Sequence, residues 1–165
     1  MIFVTVGSAE EGLEFERLVR EMDRVAGALG ADVLIQRGTS AYEPAHARHV
    51  RFLPFEEAMD CFRRADLVVG HCGAGTALNA ILLGKPLILV PRRADAGELD
   101  TEDHQMELAA CLKGRPGIRI VEDVGDLERV VREMLARPEE RPEPSERLVR
   151  LRAAVGDFLL RAEKK

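Results

Sequence analysis

The stretch from Leu67 to Leu112 admits few folds. A short apolar run, Leu67 to Val69, ends at Gly70, and a turn of small residues follows, His71-Cys72-Gly73-Ala74-Gly75-Thr76. A helical segment, Ala77 to Leu83, comes next; Gly84-Lys85-Pro86 stops it, and a second apolar run, Leu87 to Val90, begins. Strand, glycine turn, helix and strand form a βαβ unit. That unit sets the turn at the carboxyl end of its first strand and at the N-terminus of its helix. Glycines there let backbone N–H groups approach an anion, and the helix dipole favours negative charge. Phosphate is the anion that suits this arrangement. The other reading is a turn that needs glycine for its own geometry and binds nothing. No Gly-Lys-Ser/Thr follows, so the segment is not a P-loop, and Gly73-Ala74-Gly75-Thr76-Ala77-Leu78 does not complete GxGxxG.

The rest of the chain repeats the alternation. Met1 to Val6 reads as a buried strand ended by Gly7-Ser8. Phe15, Leu18, Val19, Met22, Val25, Ala26 and Leu29 then recur at helical steps. Strands are expected at Asp32 to Gln36, Arg48 to Leu53 and Gly117 to Val121. Helices are expected at Phe55 to Arg64, near Glu102 to Leu112, and at Gly125 to Ala136. Alternating β and α at this spacing implies an α/β fold with a doubly wound parallel sheet, Rossmann-like. The domain is expected over residues 1–137. A Pro-rich break at 138–144 and an amphipathic helix over 145–165 follow, with Leu148, Leu151, Val155, Phe158 and Leu159 on one helical face. That stripe packs either on its own domain or on a partner.

A charge-dense segment, Arg92 to His104, follows the Leu87 strand, at the edge where open α/β sheets take ligands. A solvated loop capped by Thr101 or Asp103 is the alternative. His71, beside the glycine turn, is a candidate base or phosphate contact, against a structural histidine at a strand end. No Ser-His-Asp, paired-carboxylate or metal-ligand pattern stands out, so no metal is expected. The 165 residues carry a net charge of −5, which argues against nucleic acid as partner. No apolar run reaches the length of a membrane span, Met1 leads straight into a strand, and the three cysteines lack metal or C-x-x-C spacing. A cytoplasmic protein is the expectation.

Four segments taken in order carry a family resemblance. They are Met1-Ile2-Phe3-Val4-Thr5-Val6-Gly7-Ser8, Gly70-His71-Cys72-Gly73-Ala74-Gly75, Gly84-Lys85-Pro86-Leu87-Ile88-Leu89-Val90-Pro91-Arg92, and Asp103-His104-Gln105-x-Glu107-Leu108-Ala109. The chain resembles, over roughly Met1 to Val130, the small UDP-sugar-binding subunits of two-part glycosyltransferases. These correspond to the C-terminal half of glycosyltransferase family 28 enzymes of GT-B fold, such as the one that adds N-acetylglucosamine to the peptidoglycan lipid precursor.

The resemblance implies a donor site residue by residue. Gly73, Ala74, Gly75 and Thr76 would cradle the diphosphate. Gly7 and Ser8 would form a second turn facing the cleft, and Phe55 would meet the uracil edge, or be an ordinary core phenylalanine. His104 and Gln105 would contact the sugar. Beside these, Arg92 is expected to bind the substrate, and His71, by its place next to the turn, is the catalytic candidate. Where the family usually has a ribose-binding Glu, five residues before Gly84, this chain has Asn79. An amide still hydrogen-bonds a diol, without the charge-assisted acceptor, and Glu98 or Glu102 could substitute. The resemblance also implies a UDP-sugar donor, no cofactor and a lipid-linked acceptor. A membrane-anchored partner subunit would supply the acceptor domain and hold the chain at the cytoplasmic membrane face. Two alternatives stay open, a stand-alone homo-oligomeric nucleotide-sugar transferase, with a homodimer formed when the chain is alone, and a non-catalytic nucleotide-binding module.

Overall fold

The computed structural model describes residues 1–7, 12–98, 104–150 and 153, with His104 described by its backbone only. Strands β1 (Ile2–Thr5), β2 (Val33–Gln36), β3 (Arg48–Val50), β4 (Leu67–His71), β5 (Leu87–Val90) and β6 (Ile118–Ile120) form one sheet in the order β3-β2-β1-β4-β5-β6. Every neighbouring pair is parallel. β1, β4 and β5 are apolar at nearly every position because helices cover both of their faces. The register follows the pleat. Ile2 and Val4 of β1 join one core with Leu18, Val19, Met22 and Val25 of α1 (Glu16–Leu29). The end helix of the same layer adds Leu127, Val130 and Val131. Phe3 points the other way, into a core with Phe62, Ala77, Ala80, Ile81, Ala109 and Leu112, where its ring meets that of Phe62 edge-on at 5.2 Å. Those residues come from α2 (Phe55–Arg64), α3 (Ala74–Leu82) and α4 (His104–Leu112); the end helix is α5 (Leu127–Leu135).

Several boundaries differ from the sequence expectation, most by one or two residues. β3 stops at Val50 rather than Leu53, β4 runs on through His71, and α3 starts at Ala74 rather than Ala77. The turn is therefore only Cys72-Gly73, with Gly73 extended at φ −98° and ψ 144° as the residue before the helix. Glycine disfavours helix interiors, yet first-turn residues leave their N–H groups unpaired in any helix, so Gly75 fits there.

One buried carboxylate ties α1 to the long β2–β3 connection. Asp23, 1% exposed, accepts from the backbone N–H groups of Ala45, His46 and Ala47 and from the Tyr42 hydroxyl, at 2.7–3.0 Å. Burial alone would push its pKa up; the hydrogen bonds from Ala45, Tyr42, His46 and Ala47 outweigh that and hold it below the usual Asp value. Its stabilisation is therefore full above the ordinary Asp range and is lost as pH falls through the lowered folded value. Asp23→Ala leaves four donors without their acceptor. The expected cost is about 3 kcal/mol in urea unfolding at pH 7, shrinking toward acid pH.

The Pro-rich segment does not leave the domain at once. Arg119 of β6 pairs with Glu140 at 2.9 Å, and Pro142 is buried against Gly117, where an added Cβ would come within 2.5 Å of the proline nitrogen. Ser145 then caps a helical turn, its hydroxyl accepting from the Leu148 N–H at 3.3 Å. Leu148 packs against the α2–α4 core of its own domain. The remainder of the stripe, Leu151, Val155, Phe158 and Leu159, lies outside the described residues.

Candidate functional site at the carboxyl edge of the sheet

β1 lies between β2 and β4, so the connections leaving β1 and β4 run to opposite sides and a crevice opens at their carboxyl ends. A cleft of about 420 Å³ occupies it. Gly7, Phe55, His71, Gly73, Ala74, Gly75, Thr76 and Asn79, all singled out in the sequence, line this one cleft. Phe3, Thr5, Gln36, Ala58 and Phe62 line it as well and were missed. Gln36 was findable, since it ends a strand at the same sheet edge as Thr5 and Gly70, with which it is in register. Phe3, Ala58 and Phe62 gave no signal beyond ordinary core patterning.

The glycines divide by role. The His71 imidazole sits between Gly7 and Gly73: a Cβ on Gly7 would lie 2.6 Å from its Cε1, and one on Gly73 would lie 2.2 Å from its Nε2. Gly7 also has φ +79°, a conformation that favours glycine. Both glycines make room for the ring. Gly75 is different, because among the described residues a Cβ there meets nothing within 4 Å. Among the described residues no side chain caps α3, and Ala74 and Gly75 are exposed, so the first-turn N–H groups keep their hydrogen-bonding capacity for a ligand.

Among the described residues lining the cleft, none bears a carboxylate, ammonium or guanidinium. His71 is the titratable one. Burial, helped by the nearby positive charge of Arg92, lowers its pKa to about 4, against a hydrogen bond to the Thr5 backbone that works the other way. At neutral pH the ring is therefore an uncharged donor–acceptor, and its Nδ1 stands 3.5 Å from the Thr76 hydroxyl. Between pH 6.5 and 4 the unfolded chain takes up a proton that the folded one refuses, so stability falls as pH drops through that window. An anion bound in the cleft would raise the folded value and reverse the effect. Binding of a diphosphate should thus tighten below pH 6.5 with proton uptake, and calorimetry in buffers of different ionisation enthalpy should detect it. Proton uptake of zero at pH 5.5 would place the ligand away from His71.

The other candidates lie apart from this lining. Arg92 is 4% exposed and its guanidinium turns inward, donating to the carbonyls of Val6 (2.8 Å), Leu13 (2.5 Å) and Glu98 (3.3 Å). Gln105 opens α4, and its side-chain oxygen accepts from the Arg92 backbone N–H at 3.2 Å. Glu98, considered as a ribose acceptor, is 4% exposed and engaged elsewhere: it takes the Arg17 Nε at 2.7 Å and the Arg93 N–H at 2.8 Å. It does not line the cleft beside Asn79, since the Arg17 pair holds it on the α1 side. Ser8, Glu102 and the His104 side chain lie outside the described residues.

Sequence comparison matches residues 1–156 to the glycosyltransferase family 28 C-terminal domain. The chain belongs to that family. It is 27% identical over 139 residues to the UDP-N-acetylglucosamine–N-acetylmuramyl-(pentapeptide) pyrophosphoryl-undecaprenol N-acetylglucosamine transferase of Synechococcus sp. (strain WH7803). That match takes in 82% of this chain and 37% of the relative, so the chain spans well under half of the relative's length. Among solved structures, the glycotransferase of kitacinnamycin is similar with a TM-score of 0.64 at 18% identity, over 97% of this chain and 42% of that one. MurG of Acinetobacter baumannii gives 0.56 at 20% identity, over 86% and 46%. The fold is that of one half of a GT-B glycosyltransferase, and family membership makes this a glycosyltransferase domain. Among the described residues, no helix is long and apolar enough to cross a membrane.

Proposed function

We propose that this family 28 domain is the donor-binding part of a glycosyltransferase that moves a hexose or N-acetylhexosamine from a UDP-sugar to a lipid-linked acceptor. The observation that carries the reading is the cleft itself: an uncapped helix N-terminus, two glycines packed on a neutral histidine, and an aromatic rim, all at the switch point of the sheet. The first-turn N–H groups of α3 and the Thr76 hydroxyl take the diphosphate and stabilise it as it leaves. Phe55, 71% exposed at the start of α2, meets the base. Asn79 and Gln36 offer neutral hydrogen bonds to the ribose. His104 and Gln105 meet the sugar. No metal enters this assignment, because helix dipole and N–H groups carry the charge stabilisation.

The acceptor hydroxyl attacks the anomeric carbon as the bond to the UDP oxygen breaks. The base that removes its proton belongs to an acceptor domain outside this chain. We assign that domain to a separate membrane-anchored subunit, which would hold the chain at the cytoplasmic membrane face. The printed acceptor of the relative, an undecaprenol-linked pyrophosphate, supports a reaction held at a membrane.

Calorimetry with UDP and with UDP-N-acetylglucosamine tests the donor reading. His104→Ala and Gln105→Ala are each expected to weaken the UDP-sugar about tenfold and bare UDP less than twofold, because only the donor carries the contacted group. Equal losses for both ligands would move these residues to the nucleotide end, and no UDP binding at all would end the reading.

A further inference from the structure

Arg92 joins two segments that are 86 and 13 residues from it in sequence. Its Nη2 donates to the Val6 carbonyl, and that carbonyl shares a rigid peptide plane with the Gly7 N–H. Holding one end of the plane fixes the other, and the Gly7 N–H lies 3.3 Å from the Thr5 hydroxyl at the cleft floor. Its own backbone N–H meanwhile holds the Gln105 side-chain oxygen at the start of α4. The guanidinium that makes the first link cannot drift. Its Nη1 takes the carbonyls of Leu13 and Glu98, and its carbon lies 4.9 Å from the centre of the buried Phe15 ring. Arg17 braces the same loop: its Nη2 donates to the Pro91 carbonyl at 2.6 Å, its Nε pairs with buried Glu98, and Glu98 accepts from the Arg93 N–H. Among the described residues, the Arg17 and Arg92 guanidinium donors named here end on backbone or on Glu98, so their charge serves geometry.

We propose that Arg92 is a positioning residue of the donor site, setting the Gly7 peptide and the Gln105 amide in one fixed relation across the sheet edge. The assignment rests on the donor reading, in which the Gly7 turn faces the cleft and Gln105 meets the sugar. A lysine in its place can reach one carbonyl but lacks the planar fork that takes three.

Two measurements on Arg92→Met and Arg92→Lys decide it. In ligand-free protein, the Gly7 backbone amide and the Gln105 side-chain amide resonances are expected to move together in Arg92→Met and to move partway in Arg92→Lys. In calorimetry at a temperature where circular dichroism shows both variants folded, Arg92→Met should weaken UDP-N-acetylglucosamine about tenfold or more, with Arg92→Lys intermediate. Adding Gln105→Ala to Arg92→Met should cost less than Gln105→Ala alone, because the amide is already misplaced. Unmoved resonances, or a lowered melting temperature with donor affinity intact, would overturn the proposal and leave Arg92 a stabilising residue only. If wild type binds neither UDP nor the UDP-sugar, the donor reading fails, and the paired resonances still show whether Arg92 couples the two segments.

Discussion

Gly75→Asp is expected to abolish UDP binding, at least a hundredfold loss in calorimetry, while the melting temperature stays within about 2 °C of wild type. The two halves of that expectation have separate causes. A side chain at position 75 meets no described residue within 4 Å, so none of the described residues has to shift. A carboxylate in the first turn of α3 even complements the helix dipole, which favours the folded state. The same carboxylate occupies the anion position and repels a diphosphate there. Gly73→Ala is the contrasting control, because its Cβ would fall 2.2 Å from the His71 Nε2 and the ring must move. That variant should lose stability as well as ligand. UDP affinity unchanged in Gly75→Asp would show that the diphosphate does not use the N-terminus of α3.

The second large effect concerns what completes the reaction. Purified alone, the chain is expected to transfer sugar from UDP-N-acetylglucosamine at a rate at least roughly a hundredfold below that of the chain with a complementing acceptor domain. Holding both substrates in one site supplies much of the rate in such reactions. The chain matches 37% of its curated relative and 46% of a solved MurG, and its cleft opens at the sheet edge, where His71 is the one titratable group among the described lining residues and its pKa, lowered to about 4, makes it a weak base. Donor binding should survive in isolation, because the proposed contacts all belong to this chain. Co-expression with a membrane-anchored partner should carry it to the membrane fraction. Robust transfer by the isolated chain would favour the stand-alone homo-oligomeric enzyme, and donor binding with no transfer under any pairing would favour a binding module.

Much of this molecule is written locally. The runs at Ile2–Thr5, Leu67–His71 and Leu87–Val90, punctuated by Gly7, Gly73 and Gly84, mark strands and turns because period and backbone freedom are properties of neighbouring residues. Parallel order and right-handed crossovers then follow from alternation, and they bring the glycine turn to the edge where ligands bind. Four facts had no local signature. His71 is held near a pKa of 4 by burial and by Arg92, 21 residues away. Gly73 is needed for the space of a ring, and Gly75 is not. Glu98 is engaged by Arg17 of α1, 81 residues away, and Arg92 is turned inward onto Val6 and Leu13 rather than out toward a ligand. Charge and hydrogen bonding depend on which atoms come within about 3 Å, and in this chain those atoms lie up to 86 residues apart. The sequence determined the sheet and the place of the cleft; the tertiary packing alone decided which polar side chains face it and which hold it in shape.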